Sequence, residues 1–443
     1  MNGSSLFRTL ASVIAVAGAT SPALAQSADN EPFQAFFKGT VCSDLTLVLP
    51  YIARCGQTEA ADPLITDPNI RFANISNASE SSLNPSQIAA TAASSARTAE
   101  ALAEQTERRL EGLRDKEDGK PTTETGTIAG FGPWSLFASV EGEWFDQSRR
   151  PFQLERAFDG DRFRGLIGVD YRVSASTVVG LTVSYERSKL TFDAEPSGAL
   201  NAVQSAFVAA PNGGGRKART WTVGAFLTTS LDDRAWIDLA GGYGWSDNRF
   251  RRFATFQADL NATGRFDVRA FGKADGKQVF ASAGIGTELA DGATSFSPYA
   301  RVRYVRATVN SYDEFETATP KSFLTFAVPK QSSSSFVSVL GVRASHAIST
   351  SWGVLVPQVR LEYEHEFRDG ARTVDLRLTE QPTSNQLTLP IISSRRDPNY
   401  LNAAAGLVFV LPHGMSAFVE YEGLLGYSNF SRHRASAGVR FSL

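Results

Sequence analysis

From Trp134 to Leu443 the chain alternates apolar and polar side chains in runs of about ten to sixteen residues, separated by stretches rich in Gly, Ser, Asp and Asn. A period of two marks a strand with one apolar and one polar face. The runs predict strands at Trp134–Phe145, Arg162–Arg172, Thr177–Arg187, Arg219–Thr229, Arg234–Ser246, Gln278–Glu288, Phe296–Val309, Ser335–His346, Trp352–Phe367, Asn399–Val410, Met415–Leu424 and Arg432–Leu443. In the run ending at Phe367, Leu355, Pro357, Val359, Leu361 and Tyr363 fall on one face, and Gln358, Arg360, Glu362, Glu364 and Glu366 on the other. Ala300, Val302 and Tyr304 likewise oppose Arg301 and Arg303. In the last run Ala435, Ala437, Val439, Phe441 and Leu443 oppose Ser436, Gly438, Arg440 and Ser442.

The connections decide what each face meets. They alternate between short (Val173–Ser176, Leu231–Asp233, Leu289–Ser295, Ala347–Ser351, Leu411–Gly414) and long (Asp146–Gly160, Ser188–Ala218, Asp247–Lys277, Asn310–Ser334, Arg368–Pro398), with Leu425–Ser431 closing the series. A soluble sandwich has no reason to sort its loops by parity, whereas an outer-membrane barrel has tight periplasmic turns and extended outer loops. Twelve is an even number, as single-chain bacterial barrels require, and closure satisfies strand edges that lipid cannot. One charge on the lipid face costs about 2–4 kcal/mol near the midplane. Arg301, Arg303, Arg360, Glu362, Glu364 and Glu366 are therefore assigned to the lumen. All six Trp (134, 144, 221, 236, 245, 352) fall in or beside strands, where an aromatic girdle would place them.

The first part of the chain reads differently. Arg8, the apolar stretch Leu10–Ala19, Pro22 and Ala23-Leu24-Ala25 compose a secretory signal peptide, residues 1–25, with a buried N-terminal helix as the alternative. Residues 26–85 form a short extension that becomes rich in Pro, Asn and Ser from Asp62. Its Cys42 and Cys55 are spaced for one small disulfide loop in an oxidising compartment; two free thiols are the alternative. Residues 86–126 read as a helix with a polar connector, Ser86 capping the helix. Ala89, Ala92, Ala96, Ala99, Ala103, Thr106, Leu110 and Leu113 make a narrow stripe of small residues beside Arg97, Glu100, Glu104, Glu107, Arg108, Arg109, Glu111 and Arg114. This pattern suits a helix threading a polar lumen better than a surface coiled coil. Residues 127–443 complete the organisation as the barrel.

Net charge is −2, giving no electrostatic case for nucleic acid or for a polybasic membrane patch. No apolar run after the first thirty residues reaches the eighteen or so of a membrane helix. Catalytic and phosphate-binding motifs are missing, the four His are scattered, and no metal or cofactor is expected. The lumen carboxylates Glu141, Glu143, Glu362, Glu364, Glu366, Glu420 and Glu422 are read as partners of lumen arginines and of the helix rather than as a cleavage site.

The passages GVDYRVSASTVVGLTVSYERSKLTF (Gly168–Phe192), WIDLAGGYGWSDNRFRR (Trp236–Arg252), SPYARVRYVRATVNSYDE (Ser297–Glu314) and VPQVRLEYEHEF (Val356–Phe367) resemble the translocator domain of autotransporters, the type V secretion proteins of Gram-negative bacteria. The resemblance spans about Gly130–Leu443. It implies an all-β, twelve-stranded antiparallel transmembrane barrel in the outer membrane, acting as a monomer and not as an enzyme. It also implies partners in lipid, periplasmic chaperones and the barrel insertion machinery, with the C-terminal insertion signal at Phe441 and Leu443. A pore helix, here Ala92, Ala96, Ala99, Ala103, Arg108 and Arg109, would run to a passenger outside, residues 26–85. A porin-like or structural barrel with a lumenal plug, or an adhesin binding through Ser188–Ala218, Asn310–Ser334 and Arg368–Pro398, are the alternatives.

Overall fold

Every alternating run forms a strand in the computed structural model. The strands are β1 (Trp134–Gln147), β2 (Phe158–Arg172), β3 (Thr177–Phe192), β4 (Gly214–Ser230), β5 (Ala235–Gln257), β6 (Arg265–Thr287), β7 (Thr294–Val309), β8 (Gln331–His346), β9 (Gly353–Glu366), β10 (Asn399–Leu411), β11 (Met415–Leu425) and β12 (Phe430–Phe441). Each pairs antiparallel with the next, and β12 returns to β1 from Ala437↔Val140 to Phe430↔Gln147, closing a twelve-stranded barrel. The structure describes residues 85–114 and 126–441, apart from 132–133, 149–155, 195–197, 200–205, 208–209, 233, 258–264, 318–323, 381–387 and 412–414. The expected signal peptide, Cys42, Cys55 and Leu443 lie outside the described residues.

The two faces separate by parity. Ile167, Leu181 and Leu340 point outward, each 61% exposed, while Arg301, Arg303, Arg360, Glu362, Glu364 and Glu366 point inward and are buried. Five Trp point outward, but Trp236 is buried, its ring 6.4 Å from that of Tyr299 in the lumen. Its neighbours Ile237 and Leu239 occupy the lipid parity, so alternation outranks the aromatic preference for the girdle.

Three features depart from the sequence reading. First, β5 and β6 run on through the stretch Asp247–Lys277 that reads as a loop. Arg249, Arg251 and Lys273 point outward there. A rule that seeks an apolar outer face stops where the strands rise above the hydrocarbon, although backbone pairing continues. Second, Gly126–Phe131, too short to show a period, pairs with β1 from Gly126↔Ala138 to Phe131↔Trp134. This strand holds the short-turn end of the β1 edge, beyond the reach of β12. Third, two long loops contribute a four-stranded sheet of Tyr312–Asp313, Phe326–Val328, Thr373–Leu378 and Leu389–Ile392.

Helix α1 (Ala90–Arg114) follows a 3-10 turn at Ser86–Ile88 and threads the lumen. Ser86 lies inside that turn, after Pro85, and not at the cap position the sequence suggested. The first amides are met by backbone instead, Ile88 N donating to Pro85 O at 3.0 Å and Ala89 N to Ser86 O at 3.1 Å. At 1.5 Å per residue the helix extends about 38 Å, enough to cross a bilayer's hydrocarbon.

Candidate functional site: the helix in the lumen

The direction of α1 follows from its end contacts. Ile88 and Ala89 pack among Tyr312, Phe326, Leu376, Leu378, Leu389 and Ile391 of the long loops, and Gln87 Nε2 donates to Gly213 O at 3.2 Å. Near the other end, Glu111 meets Arg301 and Arg360. The N-terminus of the helix thus lies at the long-loop end of the barrel.

Its two stripes meet two kinds of wall. Ala96, Ala99, Leu102, Ala103 and Leu110 pack on inward-facing Phe137, Leu166, Phe226, Ala240, Phe280, Val305 and Ala307. Small helix residues let those rings approach, and small wall residues complete the fit. A Cβ on Gly168 would stand 2.3 Å from the Phe137 ring, and one on Gly180 2.2 Å from that of Phe226. Ala92 is also buried, against the long-loop end of the wall.

The charged stripe faces β7, β9, β11, β12 and β1. Arg303 reaches Glu104 at 3.1 Å and Glu107 at 2.6 Å. Arg301 reaches Glu107 and Glu111, each at 3.2 Å. Arg360 joins Glu111 at 3.4 Å to Glu420 at 3.2 Å and Glu422 at 2.9 Å. Arg434 contacts Glu104 at 2.5 Å, Glu143 at 3.2 Å and Glu422 at 3.1 Å. Arg108 pairs with Glu141 and lies 3.7 Å from Glu422. Glu362 accepts the Tyr299 hydroxyl at 2.6 Å, and Glu364 accepts Asn402 Nδ2 at 2.7 Å. Glu366 accepts Arg396 at 2.8 Å, which also reaches Glu100 at 3.2 Å.

The sequence-selected lumen charges are thereby brought onto one side of one helix. Arg109 belongs to α1, but its side chain is outside the described residues, and Phe441 ends β12 with its side chain likewise undescribed. Five further arginines were not singled out from sequence. Arg434, Arg432 and Arg396 bind helix carboxylates; Arg164 Nη1 donates to Ala101 O at 2.8 Å, and Arg216 donates to Ser94 Oγ at 2.9 Å and Ser95 Oγ at 2.7 Å. Parity was the available signal for Arg164, which alternates with outward-facing Phe163, and for Arg434, beside outward-facing Ala435.

A buried ion pair adds little net stability, because desolvation offsets most of the attraction, but breaking one strands a charge. The ladder instead fixes depth. Sliding α1 by half a turn, about 2.7 Å, would pull Glu104, Glu107 and Glu111 away from Arg303, Arg301 and Arg360 together. A full turn, which brings Glu104 and Glu107 to the places of Glu107 and Glu111, would still take Glu100 from Arg396 and Arg108 from Glu141. Among the described residues no group of His, Cys, Asp and Glu is placed to hold a metal, and His346, His365 and His433 stand singly beside Thr294, Asn399 and Tyr421.

The barrel has counterparts among known proteins. The autotransporter β-domain profile matches residues 128–422. Among solved structures, the translocator domain of the autotransporter NalP from Neisseria meningitidis is 15% identical with a TM-score of 0.52, covering 78% of this chain and 97% of its own. The transport unit of AIDA-I from Escherichia coli is 12% identical with a TM-score of 0.44, covering 77% and 97%. No curated protein matches the chain. With the profile spanning two thirds of its length, the chain belongs to the autotransporter β-domain family, whose barrels reside in the Gram-negative outer membrane.

Proposed function

We propose that this barrel carries its own N-terminal segment, residues 26–85, to the cell surface, and that α1 then closes the pore. The direction of the helix carries the reading. Gln87, Ile88 and Ala89 meet the long loops, so the described part of the chain begins at the outer end of the lumen. Periplasmic chaperones and the barrel insertion machinery would deliver the precursor. No step calls for a nucleotide, since strand pairing and barrel closure supply the driving force.

In this reading the lumen carboxylates are structural, each engaged by arginine, tyrosine, asparagine or serine. The barrel itself is then not an enzyme, and Glu420→Gln with Glu422→Gln should leave the length of the membrane-bound chain unchanged on immunoblots.

A resident plug is the second reading, favoured by the loop sheet that buries Ser86, Gln87, Ile88 and Ala89. An epitope placed after Ala60 separates the two. Antibody and protease reach it on intact cells if the segment is exported. Reactivity appearing only after permeabilisation would overturn export and leave the plug.

A further inference from the structure

The outer wall of β3–β6 gathers positive charge that the chain's near-zero net charge conceals. Lys189, Lys217, Arg249 and Lys273 stand directly opposite one another in register across four strands, all outward and exposed. Arg187 and Arg219 form a second opposed pair one outward step lower. Like charges facing each other in a sheet repel and destabilise it. The nearby acids answer this only partly: Asp161 lies opposite Lys189 in register, Asp247 lies opposite Arg219 and 3.9 Å from Arg249, and Asp275 lies opposite Asp247 in the same row, three acids against six cations. Lys189, Lys217 and Lys273 make no ion pair among the described residues. The sequence reading, which found no case for a polybasic membrane patch, averaged over a lumen whose carboxylates never reach this surface.

Height identifies the occupant. Tyr185, Trp221 and Trp245 form an outward aromatic row in register on β3–β5. Arg187 and Arg219 lie one outward step above it, and the four-cation row lies two above. Each step rises about 5 Å on a strand tilted near 40°. Aromatic rows mark the membrane interface, so the cations stand at the level of lipid phosphates. Below the same row, the small outward residues Ala225, Gly241 and Ala281, also in register, floor a groove of 590 Å³ walled by Tyr304 and Phe336. Cations above and a narrow apolar groove below complement a phosphorylated lipid with acyl chains.

We propose that this face of β3–β6 binds a phosphorylated glycolipid of the outer leaflet, its phosphates on the cation row and an acyl chain in the groove. The binding relieves the repulsion between opposed lysines and holds one side of the barrel to the leaflet.

The test titrates the detergent-purified full chain with lipid A bearing two phosphates and counts bound lipid by native mass spectrometry. Replacing Lys189, Lys217 and Lys273 together by Gln should weaken binding about a hundredfold, taking the usual contribution of a surface cation near anionic lipid. The corresponding Lys→Arg triple should restore it, and Ala281→Trp, which fills the groove, should weaken it while leaving the lysines intact. Heat-modifiable gel migration verifies that each variant is a folded barrel. Wild-type affinity in the Gln triple would overturn the proposal. So would a soluble heparin fragment that binds as tightly as lipid A and is lost with the same lysines, because the face would then serve a soluble polyanion.

Discussion

The two sides of the lumen hold the same helix by different physics. Toward the inward rings of β1, β4 and β6, alanines meet Phe137, Phe226 and Phe280, and that contact is apolar and non-directional. Toward β7, β9 and β12, Glu104, Glu107 and Glu111 meet guanidinium groups at hydrogen-bonding distances. A smooth alanine stripe tolerates sliding, which suits a segment that must pass through the pore. The ion-pair ladder resists it. One wall provides fit and the other provides the stop.

Stranding a charge on the ladder side should have the largest effect. Arg434→Ala leaves Glu104, Glu143 and Glu422 short of a shared partner, and buried pairs broken this way cost about 3–5 kcal/mol. Chemical unfolding of the purified barrel, followed by gel migration, reads this loss. A change under about 1 kcal/mol would mean that water enters the lumen freely enough to solvate the carboxylates.

The apolar side should answer next. Phe280→Ala removes a buried ring from the cluster around Ala96 and Ala99, at a cost of about 3 kcal/mol. The opposite change, Ala99→Phe, adds a ring where Ala99 has no exposure, costing about 1–3 kcal/mol of overpacking. Its more informative readout is conductance in planar bilayers. The wild-type barrel should stay closed, and the variant should open as α1 is displaced. Equal conductance would show that the helix does not seal the pore.

These contrasts were unevenly legible in the sequence. Strand number, lumen and lipid faces, and the helix could be read because alternation and 3.6-residue spacing are local patterns. Glu104 and Arg303 each declared a polar face, but their pairing depends on how deep the helix sits, and nothing local encodes depth. Trp236 was misplaced because a residue-type preference was allowed to outrank parity. The outer ends of β5 and β6 were lost because a lipid criterion was applied above the lipid. The cation row was lost for a related reason: a net charge sums two surfaces that the fold keeps apart.

The smallest expected change in stability separates fit from depth most cleanly. Exchanging Arg303 for Met, Glu107 for Leu and Glu364, which lies 3.8 Å from Arg303, for Gln removes one rung as a set and leaves no new unpaired charge. Glu104 keeps Arg432 and Arg434, and Arg301 keeps Glu111 and Glu362. Buried pairs replaced by apolar side chains of similar volume are commonly neutral, so unfolding should shift by less than about 1 kcal/mol. Depth should respond instead. Gln105 Nε2 lies 2.8 Å from Ser139 Oγ, so cysteines at 105 and 139 should crosslink efficiently in the wild-type background. Cysteines at 101 and 139, one helical turn away, should crosslink poorly. In the swapped barrel the first yield should fall and the second rise, because one rung fewer makes a one-turn slip easier. If both yields hold while stability is unchanged, the remaining rungs fix the depth alone. The ladder is then redundant, and the stop is shared among Arg301, Arg360 and Arg434.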